Sequence, residues 1–309
     1  MDFAEAAVRT ALNSASYVSP RLAGKAAFRL FRVPRGRSRL RSGERAVMDR
    51  AEVSGIAVGG EKAVSYRWGT GLRPVLLVHG WESRGSRFAA LVTELLDLGL
   101  SPVAFDAPGH GEATGEAMTI VDLRDIVMAL NWEHGPFEMV VAHSLGATAT
   151  FLAVQELGLR AERIVAISAV PDFAYLVDRF CAGPGLRARL NRELRRRIEG
   201  ELFRDEPDIW SRFSVPRTEV EGMSFLVVHD EDDDLVDPVH SRALAGALGD
   251  RAGLVVTRGL GHRRILGDPQ VVAAVRDFVV RERAGRRARP TGAAWPATEP
   301  DRSPRPAAG

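Results

Sequence analysis

From about residue 75 to residue 281 the chain alternates short apolar runs with amphipathic stretches, and few architectures accept that rhythm. Val75–His79 is apolar until it stops at a turn, the pattern of a strand buried on both faces. Phe88, Leu91, Val92, Leu95 and Leu96 then recur at i, i+3, i+4, i+7 and i+8 within 86–98, one face of a helix. The pattern predicts strand 102–106, helix 119–132, strand 138–142, helix 146–157 and strand 163–168. It resumes with strand 224–229, helix 239–248, strand 253–258 and helix 269–281. Two alternating stretches, 51–58 and 62–68, come before it. The expectation is an α/β fold: a mostly parallel, eight-stranded sheet with helices on both faces.

One interruption breaks the alternation. Pro171 to Met223 contains helical segments at about 173–181 and 185–203, the second carrying Arg187, Arg189, Arg192 and Arg195–Arg197. These arginines form a solvated face or part of a short helical lid, since ligands in open α/β sheets bind beyond the carboxyl ends of the strands. The domain reading is a basic helical extension over 1–50, one domain over 51–283 with a lid insertion at about 171–223, and a tail over 284–309. That tail is rich in Arg, Pro and Ala without apolar periodicity, so it is expected to be disordered.

The formal net charge of +2 hides an asymmetry. Residues 1–50 hold eleven basic and four acidic residues, and residues 281–309 seven and three, so the middle is acidic. The overall charge therefore says nothing about the ligand of the middle. Arg21, Lys25, Arg29 and Arg32 are spaced four, four and three, along one helical stripe that Pro34 ends. The stripe is the solvated face of a docking helix or a contact with a membrane surface or partner through residues 21–32. No recognised motif or aromatic interleaving accompanies it, so no nucleic-acid partner is expected. The single cysteine, Cys181, excludes an internal disulfide. With Asp2 and Glu5 in place of an apolar leader, it leads to the expectation of a cytoplasmic protein. The arginine-for-lysine bias, with Lys25 and Lys62 the only lysines, suggests a bacterial source.

Chemistry concentrates at Ala142-His143-Ser144-Leu145-Gly146, between strand 138–142 and helix 146–157. A serine at a tight strand-to-helix turn needs small residues two positions either side, because side chains there would collide. The helix N-terminus beneath it favours developing negative charge. This is a nucleophile elbow with Ala in place of the usual first Gly.

With these residues the chain resembles the α/β-hydrolase family over about 62–281. Val78-His79-Gly80-Trp81 is similar to that family's oxyanion-hole strand end. Phe105-Asp106-Ala107-Pro108-Gly109-His110-Gly111 is similar to its D-x-P-G-H-G turn. The family order of nucleophile, acid and histidine is met by Ser144, an acidic cluster at 230–234 and His262. A serine hydroxyl needs a base, and His262, in a Gly-rich loop directly after a strand, is the candidate. The family's H-G-x-x-D-x-x-V pattern implies Asp233 as the carboxylate that orients it, with Asp232 and Asp234 as alternatives. Asp230 stands where the family usually has Gly. Residue-wise carry-over puts the oxyanion-binding N–H groups at Trp81 and Leu145, and the Trp81 ring walls an acyl pocket or is a core side chain. His79, His110 and His143 read as parts of backbone turns, and His134, His229 and His240 have no evident partner.

The implied activity is hydrolysis of a carboxylic ester of a small-molecule acyl substrate, without cofactor or metal. No phosphate loop, dinucleotide-binding glycine motif or zinc-ligand spacing is present. A thioester, an amide or a lyase substrate on the same triad, or a non-catalytic binding protein of the same fold, are the other readings.

Overall fold

The computed structural model describes residues 3–203, 209–212 and 222–287. Three helices come first: α1 (Phe3–Val18), α2 (Pro20–Arg32) and α3 (Ser42–Met48). The strands are β1 (Glu52–Val58), β2 (Glu61–Arg67), β3 (Pro74–Val78), β4 (Ser101–Asp106), β5 (Phe137–His143), β6 (Ala161–Ile167), β7 (Ser224–Asp230) and β8 (Ala252–Thr257). They form one eight-stranded sheet in the order β1-β2-β4-β3-β5-β6-β7-β8. β1 and β2 are antiparallel through the turn at Gly59-Gly60, and β2 is antiparallel to β4. Every pairing from β4 to β8 is parallel.

Alternate side chains of the central strands enter opposite layers, as a strand's two-residue period requires. On one face Leu76, Val78, Val140, Ala142, Ile164 and Val227 pack beneath α5 (Ile120–His134), α6 (Leu145–Leu157) and α10 (Pro238–Leu248). On the other, Val75, Leu77, Val141, Val165 and Val228 meet α4 (Ala89–Asp97) and α12 (Pro269–Arg287). In α4 the predicted Leu91, Val92 and Leu95 are at most 1% exposed, each contributing about 2 kcal/mol of burial.

The interruption holds α7 (Phe173–Ala182), α8 (Ala188–Leu202) and α9 (Ile209–Arg212). The expectations for 204–208 and 213–221 lie outside the described residues. Cys181 is buried in α7, and burial pushes its thiol up to about 11, away from reactive thiolate chemistry.

Two local expectations change. α12 runs to Arg287, past the Ala284 at which the tail was expected to begin, because no proline interrupts Ala284–Arg287; residues 288–309 lie outside the described residues. The extension also contains α1, which the pattern analysis does not foresee, because its apolar side is mostly alanine. α2 packs Ala23, Gly24, Ala27 and Phe28 inward, between α1 and α8. The basic stripe divides: Arg21, Lys25 and Arg29 are exposed, whereas Arg32 is half-buried. No described helix is long and apolar enough to cross a membrane.

Candidate active site

β5 ends and α6 begins at Ser144, which holds φ 55° and ψ −124°. A non-glycine residue in such a region stores about 1–3 kcal/mol of strain. The turn survives because it is clamped: Ser144 N–H donates to the Ile167 carbonyl at 2.9 Å, and α6 lies directly against β3. A Cβ on Gly146 would sit 2.7 Å from the carbonyl oxygens of both Val78 and His79, so only glycine allows that approach.

The loop after β8 brings His262, on the short helix α11 (Gly261–Arg264), to this turn. Its Nε2 lies 3.0 Å from Ser144 Oγ and its Nδ1 2.8 Å from Asp233 Oδ2. A carboxylate can only accept from the ring here, so Nδ1 carries the proton and Nε2 is left to accept from the serine hydroxyl. Asp233 has a fully buried side chain, and its Oδ1 accepts the N–H groups of Leu235 and Val236, both at 2.9 Å. Burial pushes its carboxyl up, but hydrogen bonds from His229 and His262, the charge of His262 and the Val236 N–H outweigh this. The carboxyl is held well below the usual range.

Among the described residues of the acidic cluster, Asp233 is the carboxylate that reaches His262. Asp232 accepts from Gly259 N–H, and Asp234 offers only its carbonyl, to Arg179. Asp230 has another use. It is wholly buried and accepts from Thr257 Oγ at 2.7 Å, Gly261 N–H at 2.9 Å, Asp232 N–H at 3.0 Å and Leu260 N–H at 3.2 Å. It thereby ties the Asp233 loop to the His262 loop. Its carboxyl is raised by burial and lowered further by these donors, for a net shift downward. The signal for this was its departure from the glycine usual at that position.

Several histidines read as passive turn residues hold this machinery by their rings. His143 Nε2 donates to the carbonyl of His262 at 2.8 Å. His79 accepts Ala107 N–H on Nε2 and donates from Nδ1 to Gly80. His110 accepts Glu82 N–H and donates to the Pro108 carbonyl. Burial lowers all three, His110 to about 3, so all are neutral. His229, for which the sequence suggests no partner, accepts from Ser241 Oγ and donates from Nε2 to the Val236 carbonyl, 3.3 Å from Asp233. Folding brings these partners from seven and twelve residues away, beyond what local spacing reveals.

Asp106 pins the D-x-P-G-H-G turn by accepting Gly85 N–H, Glu112 N–H and the Tyr66 hydroxyl. Gly111, at φ 43°, passes so close that a Cβ would fall 1.9 Å from the Asp106 carboxylate. This turn carries His110, whose ring accepts the N–H of Glu82, the residue after Trp81. Neither Trp81 N–H nor Leu145 N–H donates to another group among the described residues. Ser144, Leu145, Trp81 and His262 open on one cavity of ≈420 Å³ whose other walls include Phe31, Met118, Ile120, Phe173, Phe180 and Val236. The Trp81 ring is thus a wall, edge-on to His110 with centroids 5.3 Å apart. A more open polar depression lies behind Asp233 and does not reach Ser144. No cluster of three metal-ligating side chains occurs among the described residues.

Residues 75–275 match the alpha/beta hydrolase family model. A non-heme chloroperoxidase, CPO-A1, from Kitasatospora aureofaciens is 29% identical over 128 residues, a match spanning 36% of this chain and 42% of that protein. Two solved structures share the fold. Mouse alpha/beta hydrolase domain-containing protein 10 has a TM-score of 0.59 at 15% identity, covering 76% of this chain and 99% of its own. A thermophilic esterase from Thermogutta terrifontis has a TM-score of 0.54 at 20% identity, covering 75% and 99%.

Proposed function

Because the chain belongs to the alpha/beta hydrolase family, we propose that it cleaves carboxylic esters through an acyl-enzyme on Ser144. The carrying observation is the continuous hydrogen-bond chain from Ser144 Oγ through His262 to Asp233, 3.0 Å and 2.8 Å in its two links. In this reading Ser144 Oγ attacks the ester carbonyl as its proton passes to His262 Nε2. The N–H groups of Trp81 and Leu145 receive the oxyanion, each such donor being worth about 3 kcal/mol in the transition state. Asp233 stays ionised and stabilises the imidazolium. Collapse of the tetrahedral intermediate breaks the ester C–O bond, and the departing alcohol takes the proton from Nε2. Water then attacks the acyl-enzyme, His262 takes its proton, and acid and free serine result.

The aromatic and aliphatic cavity beside Ser144 supports an acyl group of small to medium size as the substrate. Intact-mass analysis after treatment with a fluorophosphonate tests the reading. Wild type is expected to gain one adduct that Ser144→Ala does not. Folded wild-type protein without an adduct would overturn the proposal. Matched oxygen-ester, thioester and amide substrates then separate the leaving-group classes by kcat/KM.

A further inference from the structure

α2 ends within the cavity that holds Ser144. Phe31 meets Phe180 and Phe173 edge-on, with centroids 5.3 and 6.0 Å apart. The Arg32 carbonyl accepts Met118 N–H at 3.1 Å. The last turn of α2 is therefore a fixed part of the cavity wall, and it places an arginine there. The Arg32 guanidinium lies over the Phe28 ring, 5.4 Å from its centroid. Its Nε is closed off from solvent and has no hydrogen-bond partner, and no described carboxylate lies within ion-pairing distance of it.

Among the described residues, Arg32, Arg35, Arg179 and Arg263 line the cavity with one carboxylate, Glu82, and Arg179 also donates to the Asp234 carbonyl. That carboxylate is already engaged by Arg263 at 3.1 Å and by the Arg35 N–H at 3.0 Å. A purely hydrocarbon acyl chain would satisfy the aromatic walls and desolvate a guanidinium that no described carboxylate pairs, which is unfavourable for a charged group. A carboxylate or phosphate matches the planar fork of a guanidinium through two parallel hydrogen bonds.

From this placement we infer that the substrate carries, besides its ester, an anionic carboxylate or phosphate group bound end-on by the two Nη groups of Arg32. This inference rests on the reading of Ser144 as the ester-attacking residue. It makes the N-terminal extension a determinant of substrate choice.

The test is a calorimetric titration of the full-length Ser144→Ala protein, which holds esters uncleaved. Monomethyl adipate carries its anion on the acyl side and 2-(phosphonooxy)ethyl hexanoate on the alcohol side; methyl hexanoate is the neutral counterpart. At least one anionic ester is expected to bind tenfold or more tightly than methyl hexanoate, and the one that does identifies the side. Adding Arg32→Gln is expected to abolish that preference, while Arg32→Lys keeps part of it by retaining charge without the fork. Equal affinity for all three esters, or a preference that survives Arg32→Gln, overturns the inference. If Arg32→Gln fails to fold, displacement of the bound anionic ester from Ser144→Ala by inorganic phosphate decides, and absence of competition overturns it. Because binding is read without turnover, a wild-type protein that hydrolyses nothing would overturn the proposed reaction and leave this titration to judge the anion site.

Discussion

His143 Nε2 donates to the carbonyl oxygen of His262 at 2.8 Å, so the residue before Ser144 holds the backbone of the residue facing its hydroxyl. The two imidazoles lie 4.7 Å apart, and burial, with the charge of His262 second, keeps His143 neutral. One end of the serine turn is thereby tied to the loop that must meet it.

Replacing His143 by Ala should free that loop and lower kcat about 10–100-fold with KM nearly unchanged, since small misplacements are costly in the transition state. His143→Gln restores an N–H at similar reach and should recover part of the loss. Steady-state kinetics on both variants check this, and a loss confined to KM would contradict it.

Asp230 makes four hydrogen bonds that join the Asp233 and His262 loops. Asp230→Asn turns an acceptor toward backbone donors into an amide that cannot accept from all of them. A stability loss of about 2–3 kcal/mol is expected, together with a fall in kcat, as read by urea unfolding and steady-state rates. An unchanged unfolding midpoint would contradict it.

The strain at Ser144 predicts a difference between two variants that lack its hydroxyl. Ser144→Ala keeps a Cβ at φ 55°, whereas Ser144→Gly removes it. Relief of about 1–3 kcal/mol of strain, less up to about 1 kcal/mol of glycine's unfolded-state entropy, leaves Ser144→Gly about 1 kcal/mol the more stable. Denaturant unfolding of the pair measures this directly.

The buried neutral histidines predict an acid-sensitive fold. Burial is the first cause of the lowered values of His79, His110 and His143. In the unfolded chain each takes up a proton below about 6.5, while the folded protein excludes it. The unfolded state then binds more protons, so their stabilisation is full above about 6.5 and is lost as pH falls. The slope is about 1.4 kcal/mol per pH unit for each such histidine. Urea unfolding at pH 7.5 and 5.5 should show the fall, and His110→Gln should reduce it by about one proton's worth. Asp230 and Asp233, lowered on balance, add to the loss only below about 4.

The layered sheet was legible before any coordinates, because a strand buried on both faces and an amphipathic helix leave periodicities that burial itself imposes. The meeting of Ser144, His262 and the acidic loop was legible as a candidate site, because the proposed chemistry needs a particular residue type at a particular turn and chain order does the rest. Choosing Asp233 by geometry over Asp232 and Asp234 needed the folded loop, since adjacent residues point in different directions and only one meets His262. The ring partners of His143, His110 and His229, and the knot made by Asp230, join residues that local pattern cannot relate. The docking of α2 belongs to the same class. Its sequence shows a basic stripe, but only packing against α8 turns three members outward and sets Arg32 in the wall of the cavity beside Ser144. Periodicity records which side of an element is buried; what it is buried against is a property of the whole chain.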